Sequence, residues 1–228
     1  NKVWLNDGVG NFTDSGQNIG NSQSYGVSLA DLDGDGDMDA FVVNYSYSNK
    51  VWLNDGTGNF TDSGQNLGSS ASLGIALADL DGDGDMDAFV SNASYDKVWF
   101  NDGTGNFTES GQAFDNISGG NDVALDDMDG DGDMDVLTAS GEDDKIAWHE
   151  NDGWSYFSTH VISTSANGAN SVFSIDMDDD GDMDVLSASW RDDKVVLYEN
   201  DGDQNFTTLL ITDEADAAYS VHAADMVE

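Results

Sequence analysis

Cysteine and proline are absent from the 228-residue chain, and only 6 residues carry Lys or Arg side chains. Without cysteine there is no disulfide scaffold, thiolate zinc site, iron–sulfur cluster or cysteine nucleophile. That absence leaves the compartment open, because a secreted protein needs no disulfide when something else staples it. The scarcity of Lys and Arg argues against nucleic acid as a partner, since binding phosphates requires cations that displace counterions. It argues equally against attraction to an anionic lipid surface. No apolar run approaches the roughly 18 residues of a membrane span, so direct membrane insertion is not expected. The chain begins at Asn1 without a signal-like segment, which suggests a mature or excised piece.

What is abundant is acid. The chain carries 40 Asp and 6 Glu, giving a formal charge of −40. Leu, Ile, Val and Phe together number 48 of 228 residues, close to the roughly 20% below which highly charged chains are usually disordered. Composition alone does not establish a fold, whereas the arrangement of the residues does.

The chain is one unit repeated. Residues 2–16 and 50–64 differ only at Val9 against Thr57, and residues 31–40 and 79–88 are the same string, DLDGDGDMDA. The acid-rich string starts at Asp31, Asp79, Asp127 and Asp176, at spacings of 48, 48 and 49, and a fifth copy begins at Asp225. Such periods occur in propeller blades and in long helical solenoids. Each period here holds four short β-rich runs bounded by Gly, Asn, Asp or Ser, the pattern of strands and tight turns. No stretch of 3.6-residue periodicity is long enough for a helix. The expected fold is therefore all-β: a β-propeller of about five four-stranded blades, four complete and a fifth split between the ends. Strand A precedes the acid loop, B follows it, C is Val-Trp-Leu and D is Asn-Phe-Thr. The expected blades are 17–64, 65–112, 113–162 and 163–212, with 213–228 plus 1–16 as the split blade.

The acid loop reads as a calcium site. Five carboxylates in nine residues would repel, at about 4 kcal/mol for a pair 4 Å apart at an effective dielectric of 20, unless a cation neutralises them. Gly36, sixth in the first loop, supplies the sharp turn that wraps the loop round an ion. An all-oxygen donor set without His or Cys suits Ca²⁺, and Mg²⁺ less well. Asp31, Asp33, Asp35 and Asp39 are expected to offer side-chain oxygens, and Asp37 its backbone carbonyl. The same register recurs at Asp79, Asp81, Asp83, Asp85 and Asp87, and at Asp127, Asp129, Asp131, Asp133 and Asp135. It recurs again at Asp176, Asp178, Asp180, Asp182 and Asp184, where Asp179 replaces a glycine. About four Ca²⁺ sites follow, with a fifth if the ring is completed. An EF-hand would need a flanking helix and Glu at position 12, where this chain has Val42, Val90, Thr138 and Ser187. RTX rolls repeat about every nine residues, which this chain does not.

The D-h-D-G-D-G-D-h-D loop, h being an apolar residue, lies between two strands and repeats with Val-Trp-Leu-Asn-Asp-Gly-x-Gly-Asn-Phe-Thr. This combination resembles the FG-GAP/VCBS repeat family, the blade of the integrin α-subunit head. Tyr25-Gly26 and Leu73-Gly74 stand where that family's Phe-Gly usually does; Asn121-Asp122 and Ser171-Val172 do not match, which makes those strand starts less secure. The resemblance implies a calcium-rigidified, extracellular (secreted or cell-surface) propeller for adhesion, recognition or cell-surface and filament assembly. Its partners would be a protein or glycan of the cell surface or matrix. The alternative is a carbohydrate-binding or accessory propeller of a secreted polysaccharide-active enzyme. The chain itself is expected not to be an enzyme: no catalytic constellation is visible, and family membership does not fix an activity.

Strand order places the acid loops and C–D turns at one end of each blade, and the variable B–C and D–A loops at the other. Exposed loops on a rigid scaffold usually carry recognition, so Tyr45, Tyr47, Tyr95, Trp190 and Arg191 are the ligand-face candidates. Trp4, Trp52, Trp99 and Trp148 recur with the period and read as inter-blade packing. Lys2, Lys50, Lys97, Lys145 and Lys194 read as partners of nearby acids. His149, His160 and His222 read as structural or surface residues. The Asn-Phe-Thr sequons at Asn11, Asn59, Asn106 and Asn205 read as fold pattern rather than glycan attachment. An A strand is expected over Tyr219–Met226. Three readings of the split blade remain: a permuted seam closing five blades, a window on a longer array, or self-assembly by strand exchange at an open edge.

Overall fold

The structure, a computed structural model, describes residues 1–69, 71–112, 114 and 119–224. Among them every regular element is a strand. The first two, β1 (Lys2–Asn6) and β2 (Phe12–Asn18), pair as a two-stranded sheet. Four antiparallel four-stranded sheets follow. Blade 1 is β3 (Ser24–Ala30), β4 (Asp39–Asn44), β5 (Lys50–Asn54) and β6 (Phe60–Asp62). Blade 2 is β7 (Ser72–Ala78), β8 (Asp87–Asn92), β9 (Lys97–Asn101) and β10 (Phe107–Glu109). Blade 3 is β11 (Gly120–Asp126), β12 (Asp135–Ser140), β13 (Lys145–Asn151) and β14 (Phe157–Ser163). Blade 4 is β15 (Ala169–Ile175), β16 (Asp184–Ser189), β17 (Lys194–Asn200) and β18 (Phe206–Thr212). Each sheet is a meander in A–B–C–D order, and β1–β2 are the C and D strands of a further blade.

The core lies between blades rather than within them. Every residue of the B strands β4, β8, β12 and β16 is buried. Their apolar side chains pack against the A strand of the following blade, β4 on β7, β8 on β11 and β12 on β15. Phe41, Val43 and Val51 of blade 1 cluster with Ala88, Val90 and Trp99 of blade 2. Leu137, Ile146 and Trp148 of blade 3 cluster with Val172 and Val185 of blade 4. Full burial of one such aliphatic or aromatic side chain contributes about 1.5–3 kcal/mol.

Each A strand carries a bulge at one place, the register shifting between Ser24/Gly26, Ser72/Gly74, Gly120/Asp122 and Ala169/Ser171. This bulge holds the Tyr25-Gly26 and Leu73-Gly74 pairs. A Cβ on Gly26 would lie 3.1 Å from Val43 Cγ2 and 3.2 Å from Ile75 Cγ2, so the glycine permits close approach of blade 2. The bulge also corrects the expected register in blade 4: the equivalent pair is Asn170-Ser171, one residue before Ser171-Val172. Nor are the later strand starts less regular. In blade 3, Asp122 replaces the glycine and accepts the Val172 N–H at 3.2 Å, a hydrogen bond into blade 4.

The C-terminal segment differs from its expected form. Tyr219–Ala224 is not a strand, although it lies along β15: Asn170 Nδ2 donates to Tyr219 O at 2.7 Å and Val221 N to Ser171 Oγ at 3.3 Å. Asp225 and Met226 of the expected fifth loop and A strand lie outside the described residues.

Candidate metal centres

Each acid loop is a hairpin between A and B strands, organised by its own carboxylates. Asp31 accepts the N–H of Gly34 at 2.9 Å and of Gly36 at 3.0 Å, closing the loop round its first side chain. Asp79 and Asp127 do the same with their glycines, and Asp176 accepts from Gly181 at 3.0 Å. Where Gly34 turns with φ +78°, blade 4 has Asp179 at φ 62°, a left-handed conformation that Asp tolerates better than most residues.

Three carboxylates per loop converge, with oxygens mutually within 4.8 Å: Asp31, Asp33 and Asp39; Asp79, Asp81 and Asp87; Asp127, Asp129 and Asp135; and Asp176, Asp178 and Asp180. The donor set is oxygen only, and Asp33 Oδ1 is a buried atom without a hydrogen-bond partner. Both features fit a hard divalent cation. Burial together with neighbouring carboxylates raises the pKa of Asp33, Asp81, Asp129 and Asp178. Burial pushes Asp87 and Asp135 up to about 7.

The fifth residue of each loop hydrogen-bonds within it: Asp35 Oδ1 accepts the Asp37 N–H at 2.9 Å. The seventh turns its carboxylate to the C–D turn of its own blade. A Cβ on Gly56 would lie 2.4 Å from Asp37 Oδ2, and Gly103, Gly153 and Gly202 stand in the same relation to Asp85, Asp133 and Asp182. The side chain of Asp37 is thereby directed towards the C–D turn, outside the three-carboxylate cluster. Acid loops and C–D turns share one end of each blade, as strand order requires.

The ninth residue, fully buried in all four loops, also joins strands. Asp87 accepts the Leu80 N–H at 2.9 Å and the Asn101 N–H at 2.7 Å, and Asp39, Asp135 and Asp184 make the same pair of bonds. The side chain of Asn101 then donates to Leu32 O of the preceding blade's loop at 2.9 Å. Asn151 reaches Leu80 O at 3.2 Å and Asn200 reaches Met128 O at 3.5 Å. A continuous hydrogen-bonded path thus connects the four acid loops. The C-strand asparagine repeats visibly in the sequence, but its partner, about 70 residues away, does not.

A second inter-blade clasp also escapes sequence reading. Gln17 donates to Gly58 O at 2.6 Å and accepts the Phe60 N–H at 2.7 Å. Gln65 does the same with Gly105 O and Phe107 N, and Gln112 with both backbone groups of Phe157. The recurring Ser-Gly-Gln triplet was the available signal.

At the opposite end, Tyr45 stacks on Tyr25 with centroids 5.1 Å apart, and Tyr47 and Tyr95 are exposed. Trp190 stacks on Tyr219 at 6.2 Å beneath the Arg191 guanidinium at 5.0 Å, and Arg191 donates to Gly141 O of blade 3 at 2.9 Å. Trp190 and Arg191 thus stand together, on a blade other than those of the three tyrosines. Two exposed aromatics lie at the acid-loop end instead: Trp154, 85% exposed, and Tyr156, in the C–D turn of blade 3. Asp152 accepts both of their N–H groups, and Ser155 between them has φ 78°.

The remaining residues are structural. All five repeated lysines pair with an acid: Lys2 with Asp14, Lys50 with Asp62, Lys97 with Glu109, Lys145 with Asp143 and Lys194 with Asp192. His149 is fully buried between Thr138 and Thr159 hydroxyls, and burial lowers its pKa to about 3, so it is neutral. His160 pairs with Glu150, and His222 packs on Phe173. Sequon side chains serve their own turns, Asn11 donating to Asp7 and Asn59 to Asp55.

Stacked four-stranded antiparallel meanders carrying acid loops in their A–B hairpins define a β-propeller-type repeat protein. The FG-GAP-like repeat model matches residues 1–42, 31–90, 79–138, 127–187 and 176–227, and the chain belongs to that family. No protein of curated function is similar enough in sequence to match. Among solved structures, an Agrocybe aegerita lectin recognising non-reducing terminal N-acetylglucosamine superposes with TM-score 0.57 at 21% identity, over 94% of this chain and 61% of the lectin. The Vibrio cholerae biofilm matrix protein Bap1 gives 0.53 at 16% identity, over 86% of this chain and 29% of Bap1. An auxiliary nutrient-binding protein of Bacteroides ovatus gives 0.55 at 14% identity, over 86% of this chain and 49% of that protein. The chain therefore spans less than two thirds of each, and these likenesses show the fold.

Proposed function

We propose that the chain is a non-catalytic, calcium-stabilised binding propeller acting outside the cell, in adhesion, recognition or surface assembly. The observation that carries this reading is the fourfold recurrence of an oxygen-only carboxylate cluster at one end of every complete blade. Asp31, Asp33 and Asp39, their counterparts in blades 2 and 3, and Asp176, Asp178 and Asp180 in blade 4 would hold Ca²⁺, which neutralises carboxylates that otherwise repel across each loop. The propeller-like neighbours, a lectin and a nutrient-binding protein among them, support binding as the role. The test is calorimetric titration with Ca²⁺, in which about four ions should bind and Asp81→Ala should remove one. A flat titration, together with an unchanged melt in excess EDTA, would overturn the reading.

A carbohydrate ligand is the second reading, favoured by Trp154 and Tyr156. Asp152 accepts both backbone N–H groups of their turn, and Gly153 O lies 3.3 Å from where a Cβ on Gly82 would stand, beside the acid loop of blade 2. Exposed aromatic faces stack on apolar ring surfaces with little entropic cost. Glycan-array binding lost on Trp154→Ala would establish a site at the acid-loop end. Loss on Trp190→Ala instead would place it on the variable loops, and no binding by the parent chain would remove the reading.

A further inference from the structure

The C–D turns share an Asp–Asn pair that the turn of blade 3 has lost. Asn11 Nδ2 donates to Asp7 Oδ2 at 2.7 Å, Asn59 Nδ2 to Asp55 Oδ2 at 3.2 Å and Asn205 Nδ2 to Asp201 Oδ2 at 3.1 Å. In blade 2 the link runs through a hydroxyl: Asn106 Nδ2 donates to Thr104 Oγ1 at 2.8 Å, and that hydroxyl donates to Asp102 Oδ1 at 2.6 Å. In blade 3, Trp154 takes the place of the threonine and Tyr156 that of the asparagine. Asp152 keeps only the backbone N–H groups of Trp154 at 2.8 Å and Tyr156 at 3.1 Å, both on Oδ1. Its side chain is on an exposed residue, and no described residue donates to Oδ2. Ser155 holds φ 78° where Gly10, Gly58 and Gly105 make the same turn, a strained backbone of the kind that gathers at functional sites.

Packing does not compensate for these changes, since Trp154 is 85% and Tyr156 59% exposed. The turn therefore presents two aromatic faces and a carboxylate oxygen short of a donor within five residues. Its surroundings are acidic: the Asp133 carboxylate abuts Gly153, and Gly153 O lies beside the acid loop of blade 2. All six Lys and Arg stand at the opposite end of the blades, the lysines opening C strands and Arg191 in a B–C loop.

We propose that the C–D turn of blade 3 binds an amino sugar, a hexosamine unit whose free ammonium is held by Asp152 Oδ2 while its apolar ring face stacks on an exposed aromatic of the turn. The proposal rests on the carbohydrate reading above and adds the charge of the ligand. An ammonium supplies the donor that Asp152 lacks, in a charge-assisted hydrogen bond stronger than a neutral hydroxyl would make. The faces of Trp154 and Tyr156 attract the same cation. A uronate, sialate or sulfated sugar would meet only like charge at this end of the molecule.

The test titrates the whole chain, in calcium and about 0.15 M salt, with a β-linked glucosamine tetramer, its N-acetylated form and a galacturonate tetramer. The glucosamine tetramer should bind at least about tenfold more tightly than the N-acetylated form, and the galacturonate should not bind. Asp152→Asn keeps the oxygen that accepts both backbone N–H groups, so the melting temperature should hold while the preference for the free amine disappears. Tyr156→Asn restores the missing donor and should weaken binding of the glucosamine tetramer likewise. Asp203→Asn removes the same charge from the turn of blade 4 and should change nothing. Equal binding of the two glucosamine forms, abolished by Trp154→Ala, would overturn the proposal and leave the carbohydrate reading standing. Binding of neither form would overturn the proposal, and a blank glycan array would remove the carbohydrate reading with it. A preference that Asp152→Asn and Asp203→Asn reduce alike would also overturn it, because the amine would then be drawn to the overall charge and not to this turn.

Discussion

Asp96 shows how one repeat position can carry a cost in one blade and none in the next. Its counterpart in blade 1, Asn49, accepts the Asn44 N–H at 2.9 Å and donates to Ser72 Oγ at 3.0 Å. Asp96 keeps the first bond, with the Asn92 N–H at 2.8 Å, but its Oδ2 is buried without a partner, and burial pushes its pKa to about 7. The folded chain therefore holds this proton more tightly than the unfolded chain, whose Asp titrates near ~3.9. The contribution to stability is full below that value, is lost as pH rises towards about 7, and then stays level. Asp96→Asn should raise stability at pH 8 by about 4 kcal/mol and flatten the slope of stability between pH ~4 and ~7, read by urea unfolding across pH. Trp99 and Trp4 make a contrasting pair drawn from one repeat position, which in blade 3 is held by His149 and not by Trp148. Trp99→Ala should cost about 3–5 kcal/mol through the cavity it leaves, and Trp4→Ala about 0.5 kcal/mol, in the same unfolding measurement. The periodic tryptophans were legible as packing residues; that one of them is largely uncovered was not, because coverage depends on a neighbouring strand rather than on the residue itself.

At the scale of the element, the strands and acid loops could be read directly because they are local. Alternation, turn residues and odd-numbered aspartates all act within a few positions. The links between blades could not be read, because they join positions 40 to 72 residues apart, and a repeat shows where a residue recurs without showing what it touches. Gln65 illustrates this. Gln65→Ala leaves Phe107 N–H and Gly105 O without their partner and should cost about 1–2 kcal/mol, whereas the exposed Gln204 changed to Ala should be nearly neutral in the same thermal melt. The acid loop as an element also carries a pH dependence. Because Asp87 and Asp135 have pKa values raised to about 7, Ca²⁺ bound there as proposed would have to displace a proton once pH falls below that value. Affinity at blades 2 and 3 should fall about tenfold per pH unit below ~7, with proton release visible as a buffer-dependent heat in calorimetry.

For the whole molecule, the charge of −40 opposes folding through self-repulsion, which Ca²⁺ bound as proposed would relieve. Saturation at about 100 times the dissociation constant contributes roughly 2.7 kcal/mol per site. Removing four such ions should lower the melting temperature by about 20 °C or more, as scanning calorimetry with and without chelator will show. The hydrogen-bonded path through the loops has a further consequence. Asp87 orders the Asn101 backbone, the Asn101 side chain holds Leu32 O, and Leu32 N–H is held by Asp39. An ion that fixes Asp87 therefore preorders the loop of the preceding blade before that loop is filled. Occupancy of the four loops should then rise together, with a Hill coefficient above one that falls towards one in Asn101→Leu, and the propeller would respond to calcium as a threshold rather than in proportion to it.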